Sequence, residues 1–328
     1  MKRFLKYLLI ILLAIIIAGF CYFFVGKTKP AEKIDFGVTF SKIYSEQLGL
    51  DWKNNYLALL DDLGVKKIRL IAYWTEIEPV DGFFDFQDLD WQINEAQKRG
   101  VEIILAMGRR LPRWPECHIP EWAKKISEDE QQEKILALIT EIIRRHKNIE
   151  VIKYWQIENE PFLGTFGECP KLDKNFLDRE IALARLLDNR KIIISESGEF
   201  STWIGAARRT EVVGTTLYRK IYGKLGYVRY PIPPIFYFRK ANLIKELFNV
   251  EKIIVTELQA EPWGPKQNWD LPVEEQFKSM NLEEFKKVID YTKQTGFSEA
   301  YLWGAEWWYW MKEKNSDNKI WEEAKTLF

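Results

Sequence analysis

Histidine and cysteine are scarce in this 328-residue chain, with 2 of the first, His118 and His146, and 3 of the second. Two imidazoles leave little for a His-rich metal centre, and three thiols cannot fill a four-thiolate zinc site. Neither zinc nor dithiol redox chemistry is expected, and no metal ligand set is assigned. An excess of one charge is also missing: Lys plus Arg number 48 and Asp plus Glu number 48. No overall field therefore draws in a polyanion, and nucleic-acid binding falls away. There is neither a dinucleotide-binding glycine fingerprint nor a phosphate-binding P-loop. Apolar residues make up 47% and charged residues 29%, ordinary values for a folded domain with a large core, which excludes intrinsic disorder. What the chain has in excess is indole, with 14 Trp, the kind of ring that sugar-binding surfaces use.

The one long hydrophobic run lies at the start. After Lys2, Arg3 and Lys6, no charge occurs from Tyr7 to Val25, and Gly26, Lys27 and Lys29 follow. That is close to the roughly 20 residues a helix needs to cross a hydrocarbon layer, and longer than the apolar run of about 7 to 15 residues in a cleaved signal peptide. Phe20 before Cys21 spoils the small-residue position of a lipoprotein signal. A buried helix of the domain itself would show a polar stripe. Residues 1–30 are therefore expected to be an uncleaved membrane anchor with a short linker, and 31–328 a single extracytoplasmic domain, since the basic residues ahead of the span favour a cytoplasmic N-terminus.

From residue 34 onward, β-branched runs alternate with amphipathic stretches, the pattern of a parallel sheet covered by helices. The predicted strands are 34–40, 66–72, 101–107, 151–157, 191–196, 211–217, 252–257 and 298–304. The predicted helices are 51–63, 88–99, 127–147, 173–188, 202–208, 242–249, 282–295 and 317–327. Ser127 with Glu130, and Asn281 with Glu284, form capping boxes. Gly64, Gly100 and Gly296 each end a helix just before a strand. Eight strand–helix units in this length mean a closed (β/α)8 barrel more often than an open doubly wound sheet, the structural alternative. In such a barrel chemistry sits at the C-terminal ends of the strands.

Two strand ends stand out. The fourth runs Val151-Ile-Lys-Tyr-Trp-Gln-Ile157 into Glu158-Asn159-Glu160-Pro161, and the seventh runs Lys252-Ile-Ile-Val-Thr-Glu257. Each delivers a glutamate to the same rim. Glycosidic cleavage needs such a pair, one acid to protonate the leaving oxygen and one carboxylate to meet the oxocarbenium-like centre. With Asn159-Glu160-Pro161 and Thr256-Glu257, the chain resembles glycoside hydrolase clan A, the retaining (β/α)8 glycosidases, over its whole length after about residue 34.

The resemblance implies Glu160 as acid/base and Glu257 as nucleophile. It further implies Arg69 as the arginine that holds the nucleophile, Tyr218 as its tyrosine partner, Asn159 on the sugar 2-hydroxyl and Trp303 as the indole flooring the sugar subsite. Within the clan, Thr216 replaces a histidine of cellulase-like family 5 and Met107-Gly108-Arg109-Arg110 ends strand three where that family often has another, which argues against a strict family 5 assignment and leaves family 42, family 39 or an unassigned subgroup open. No cofactor and no obligate protein partner is implied; the partners are a carbohydrate substrate and the membrane.

Other readings stay in view. Arg69 could pair with any acid inside the barrel, and Glu261 is the substitute nucleophile if strand seven is misregistered. Glu158, Glu196, Glu199, Glu261 and Glu306 are expected to be rim charges or subsite hydrogen bonders. Trp74, Trp114, Trp122, Trp263, Trp307 and Trp308 are either sugar platforms or loop packing. Cys117 and Cys169, on the loops after strands three and four, are either a disulfide or two thiols. The same pair of glutamates would serve a transglycosylase, and a non-catalytic carbohydrate-binding barrel is the remaining alternative.

Overall fold

The β-branched runs form strands because their side chains are buried on both faces, as a parallel sheet covered by helices requires. In the computed structural model, which describes residues 2–328, the strands are β1 (Asp35–Thr39), β2 (Lys67–Ile71), β3 (Glu102–Met107), β4 (Ile152–Ile157), β5 (Ile192–Glu196), β6 (Val212–Leu217), β7 (Lys220–Gly223), β8 (Gly226–Arg229), β9 (Lys252–Gln259) and β10 (Glu299–Trp303). Eight of them close into a barrel in the order β1-β10-β9-β6-β5-β4-β3-β2, every pairing parallel. The fold is a (β/α)8 barrel, and the seventh and eighth barrel strands are β9 and β10. All eight predicted strands are present, within one residue at each end except that β9 runs on to Gln259.

Helix starts follow their caps. Ser127 and Glu130 close a reciprocal box ahead of Glu128–His146, and the Asn281 side chain accepts from Glu284 N ahead of Leu282–Thr295. Gly64, Gly100 and Gly296 adopt φ of +74°, +65° and +79°, the left-handed conformation that turns the chain back into a strand.

Besides short extra helices at Lys42–Gln47, Trp74–Ile77 and Val273–Gln276, three larger elements differ from expectation. The helix placed at 242–249 is Pro234–Leu247 and begins at a proline; the Pro-rich stretch before it reads as a loop, yet proline fits a first helical turn, where its missing N–H costs no bond. Residues 220–229 form an antiparallel hairpin, β7–β8, whose four-residue strands are too short to carry a period-two signal. Ala305–Asn315 is a helix, concealed because Trp307 and Trp308 are fully buried on a segment without a clean polar stripe.

The core lies between strands and helices and holds Trp74, Trp155, Trp203, Trp307, Trp308 and Trp321 fully buried. Inside the barrel, Ile104, Ile193, Val212, Ile254 and Tyr301 form a plug. The N-terminal rim is closed by Glu299, which pairs with Lys67 and Lys252 and accepts from the Tyr301 hydroxyl.

Helix Lys2–Phe24 stands apart from this core. Its span Arg3–Phe24 has mean hydropathy 2.7 and is 0% buried, long and apolar enough to cross a membrane. Its last turn touches the barrel at helix Pro234–Leu247. Phe24 packs on Phe236 at 5.4 Å, and Arg239 donates to the carbonyl of Val25 at 3.0 Å.

Candidate active site

The geometry starts from one buried guanidinium. Arg69 on β2 is 0% exposed and commits each of its nitrogens. Nη1 donates to Glu257 Oε1 at 3.0 Å, Nε to Gln156 Oε1 at 2.8 Å and Nη2 to Asn159 Oδ1 at 2.8 Å. A single arginine thus ties the end of β4 to β9 across the barrel. The other oxygen of Glu257 accepts from the Tyr218 hydroxyl at 3.0 Å. Burial first, then the charges of Glu257 and Glu160, raise the Tyr218 phenol well above its ordinary value, so it remains a donor.

β4 ends in a twisted turn. Glu158 and Glu160 have φ of +56° and +44°, a left-handed backbone uncommon for non-glycine residues and often found at functional sites. Local bonds hold it: Glu160 N donates to Ser195 Oγ at 3.1 Å, Ser195 Oγ donates to Asn159 Oδ1 at 2.9 Å, and Asn159 N donates to Arg110 O at 2.6 Å. Thr216 Oγ1 lies 3.5 Å from Glu160 Oε1, and Thr216 is the β6 residue in register with Glu257. Both glutamates therefore meet at the end of β6.

They line one cleft of about 780 Å³ together with Tyr44, Arg113, Glu116, Glu199, Tyr218 and Trp303. Glu160 is 6% exposed and Glu257 3% exposed. The Glu160 carboxyl is raised well above the usual range, by burial first and then by the neighbouring acidic groups of Glu257, Glu116 and Glu199. A neutral carboxyl beside a carboxylate paired with arginine is the arrangement that gives one group a proton to donate and the other a lone pair to attack with.

All six residues singled out in the sequence gather here; Glu257 pairs with Arg69, whereas Glu261 pairs with Arg113. Trp303 departs from expectation in one respect. The Arg113 guanidinium stacks on it at 3.9 Å and on Tyr44 at 3.5 Å, while pairing with Glu261 at 2.5 Å and Glu306 at 3.3 Å. One face of the indole is therefore occupied by a cation.

The glutamates read as rim charges are largely buried. Glu158, at 6% exposure, accepts from the backbone N–H groups of Arg109 and Arg110, and Glu196, at 2%, accepts from Ala206 N. Glu199 accepts from Tyr218 N and the Tyr237 hydroxyl, each at 2.8 Å. Glu306 is fully buried and accepts from Ser41 N; burial is the main cause that pushes its carboxyl up to about 7. The burial of Glu158, Glu199 and Glu306 was invisible because their partners belong to other units of the barrel. Trp74, Trp307 and Trp308 are core, whereas Trp114 and Trp263 line the cleft.

Sequence reasoning missed Gln156, Ser195, Arg113 and Glu116. Only Glu116 and Arg113 had a local signal, the crowded stretch Arg113-Trp-Pro-Glu-Cys117 after β3. Cys117 and Cys169 form a disulfide that joins this stretch to the loop after β4. Among the described residues, no group of three or more His, Cys, Asp or Glu is arranged to hold a metal ion.

A closed parallel barrel with two buried glutamates in one cleft resembles the (β/α)8 glycoside hydrolases. The family 42 glycoside hydrolase model, described as beta-galactosidase, matches residues 44–136. The beta-galactosidase BgaA of Clostridium cellulovorans is 24% identical over an alignment of 166 positions that covers 44% of this chain and 25% of that protein. The match thus spans about a quarter of the curated relative's length.

Solved structures share the fold. A family 5, subfamily 18 glycoside hydrolase of Bifidobacterium longum is 14% identical over 83% of this chain and 70% of its own, with a TM-score of 0.57. A family 10 endo-beta-1,4-xylanase of Gloeophyllum trabeum is 17% identical over 84% and 87%, with a TM-score of 0.54. A family 39 glycoside hydrolase of Bacteroides cellulosilyticus is 14% identical over 83% and 56%, with a TM-score of 0.51. The chain is similar to clan A glycoside hydrolases, with family 42 supplying the sequence match and families 5, 10 and 39 the likeness in fold.

Proposed function

We propose that the protein is a retaining β-glycosidase, held at the membrane by helix Lys2–Phe24 with its barrel, residues 31–328, outside the cytoplasm. The observation that carries this reading is the pairing, in one cleft, of a buried Glu160, whose carboxyl is raised well above the usual range, with a Glu257 oriented by Arg69 and Tyr218.

The carboxylate of Glu257 attacks the anomeric carbon while Glu160 gives its proton to the leaving oxygen, so a glycosyl ester forms and the alcohol departs. Arg69 and Tyr218 hold the two oxygens of Glu257, which aims one lone pair at the sugar and limits rotation of the carboxyl plane. Esterification removes the charge of Glu257, one cause of the high proton affinity of Glu160. Glu160, now a carboxylate, takes a proton from water, whose oxygen attacks the anomeric carbon and releases Glu257. Asn159, whose Oδ1 is anchored by Arg69 and Ser195, presents its amide N–H to the sugar 2-hydroxyl. The likeness to beta-galactosidases makes aryl β-galactosides the first substrates to try.

Incubating the full chain with activated 2-fluoro β-glycosides tests the reading. Stable mass addition that maps to Glu257 supports it; turnover without any trapped ester, or labelling elsewhere, overturns it.

A further inference from the structure

Where the disulfide binds two loops together, a third carboxyl group enters the cleft. Glu116 is 5% exposed and lines the same cavity as Glu160 and Glu257. Its Oε2 lies 3.5 Å from Asn159 Nδ2 and 3.9 Å from Arg110 Nε. The backbone there is unusual, with φ of +72°, and is fixed from both sides. Glu116 N donates to Arg113 O, and Glu116 O accepts from Leu111 N, each at 2.7 Å. From the facing loop, Gly167, at φ of +83°, approaches so closely that a Cβ in its place would stand 2.7 Å from Glu116 Cβ. Cys117, the next residue, is pinned to Cys169. Left-handed backbone, a close glycine approach and a covalent tie all converge on one side chain whose polar end faces the cleft, a level of constraint that a loop needs only when placement matters.

We infer that Glu116 is a substrate-binding residue whose carboxyl group hydrogen-bonds a hydroxyl of the sugar seated between Glu160 and Glu257. The inference rests on the glycosidase reading and deepens it.

The surroundings determine the charge state. Facing the carboxyl are Glu257 from β9, Glu160 from the turn after β4, Arg110 from its own loop and Arg69 from β2. Arg69 is already committed to Glu257. Burial first, then the charge of Glu257, push Glu116 up to about 8, against the opposing pull of Arg110, Asn159 and Arg69. Asn159 offers an N–H to Oε2, so the acid proton belongs on Oε1, free for a ligand. As pH rises through about 8 that donor is lost and a further negative charge appears beside Glu257. Glutamine keeps a neutral donor at every pH; alanine keeps none.

The test is kcat and KM of the full chain in detergent, from pH 5 to 10, with the aryl β-glycoside it hydrolyses best. Glu116→Ala is expected to raise KM about tenfold, the loss of one hydrogen bond to a buried group. Glu116→Gln is expected to stay within about threefold of the parent at pH 6, and its kcat/KM relative to the parent should climb as pH passes 8, because only Glu160 then still titrates. A ratio flat with pH, or an unchanged KM in the alanine variant, overturns the inference.

If the parent cleaves no glycoside, the glycosidase reading fails separately, and carbon-13 carboxyl NMR of the glutamate-labelled chain still reads Glu116. A resonance titrating near pH 8 and missing in Glu116→Gln supports the neutral acid. A Glu116 carboxyl titrating in the ordinary range near 4 refutes it.

Discussion

Replacing Arg69 with methionine isolates the interaction on which the site is built. Methionine fills much of the same volume but removes the cation, leaving Glu257, 3% exposed, as a buried carboxylate with only the Tyr218 hydroxyl bonded to it. Breaking a buried pair in this way costs about 3–5 kcal/mol. Gln156 Oε1 also loses its Arg69 donor, which adds about 1–3 kcal/mol for an unsatisfied buried acceptor. Asn159 Oδ1 retains Ser195 and contributes little. The single variant should therefore lose about 4–8 kcal/mol, a large part of the stability of an ordinary domain.

Adding Glu257→Gln removes the stranded charge and leaves mainly the loss at Gln156, so the double variant should be the more stable by about 2–4 kcal/mol, or roughly 3–6 °C in thermal midpoint for a domain of this size. Differential scanning calorimetry in one detergent at one scan rate reads the order. A double variant no more stable than Arg69→Met would refute the claim that Arg69 serves Glu257.

Glu160→Ala should slow hydrolysis of alkyl glycosides by about 10²–10⁴ but affect dinitrophenyl glycosides less in the first step, and the comparison of leaving groups checks it. Loss of the Glu160 proton should form the alkaline limb of kcat/KM: its carboxyl is raised in the fold, so the competent form exists below the raised value and disappears as pH climbs through it. Burial lowers His118 to about 4, so no limb near 6.5 should vanish in His118→Gln. The disulfide closes a loop with a separation of 52 residues, and Cys117→Ser with Cys169→Ser should cost at most about 4 kcal/mol, read as a lower thermal midpoint; two alkylatable thiols in the unreduced parent, besides Cys21, would remove its basis. Gly108→Ala should destabilise by more than about 1 kcal/mol, because φ is +127° and the new Cβ would stand 2.6 Å from Glu158 Oε1; denaturant midpoints measure it.

The fold was legible because its signals are local and repeated. Strand β2 reads as Lys67-Ile-Arg-Leu-Ile71 with glycine behind it, and the capping boxes announce their helices within four residues. The candidate site was legible where a residue lies on a barrel strand, as Arg69 and Glu257 do, or directly after one, as Asn159 and Glu160 do. What stayed hidden depends on contacts between units distant in sequence. Arg113 reaches Glu261 across 148 positions and Glu306 across 193, so neither its stacking on Trp303 nor the burial of those acids could be read from neighbours. The hairpin β7–β8 and the indole-rich helix Ala305–Asn315 escaped for the opposite reason: each is short or apolar enough that its own pattern carries no face.

The stereochemistry of the first-formed sugar tests the paired-glutamate account most directly. Proton NMR of the anomeric region, recorded within the first minutes of hydrolysis of an aryl β-glycoside by the full chain, should show the β-anomer appearing first and the α-anomer only by later mutarotation. An α-anomer as the initial product would mean one displacement by water, and would contradict the assignment of Glu257 as the attacking group.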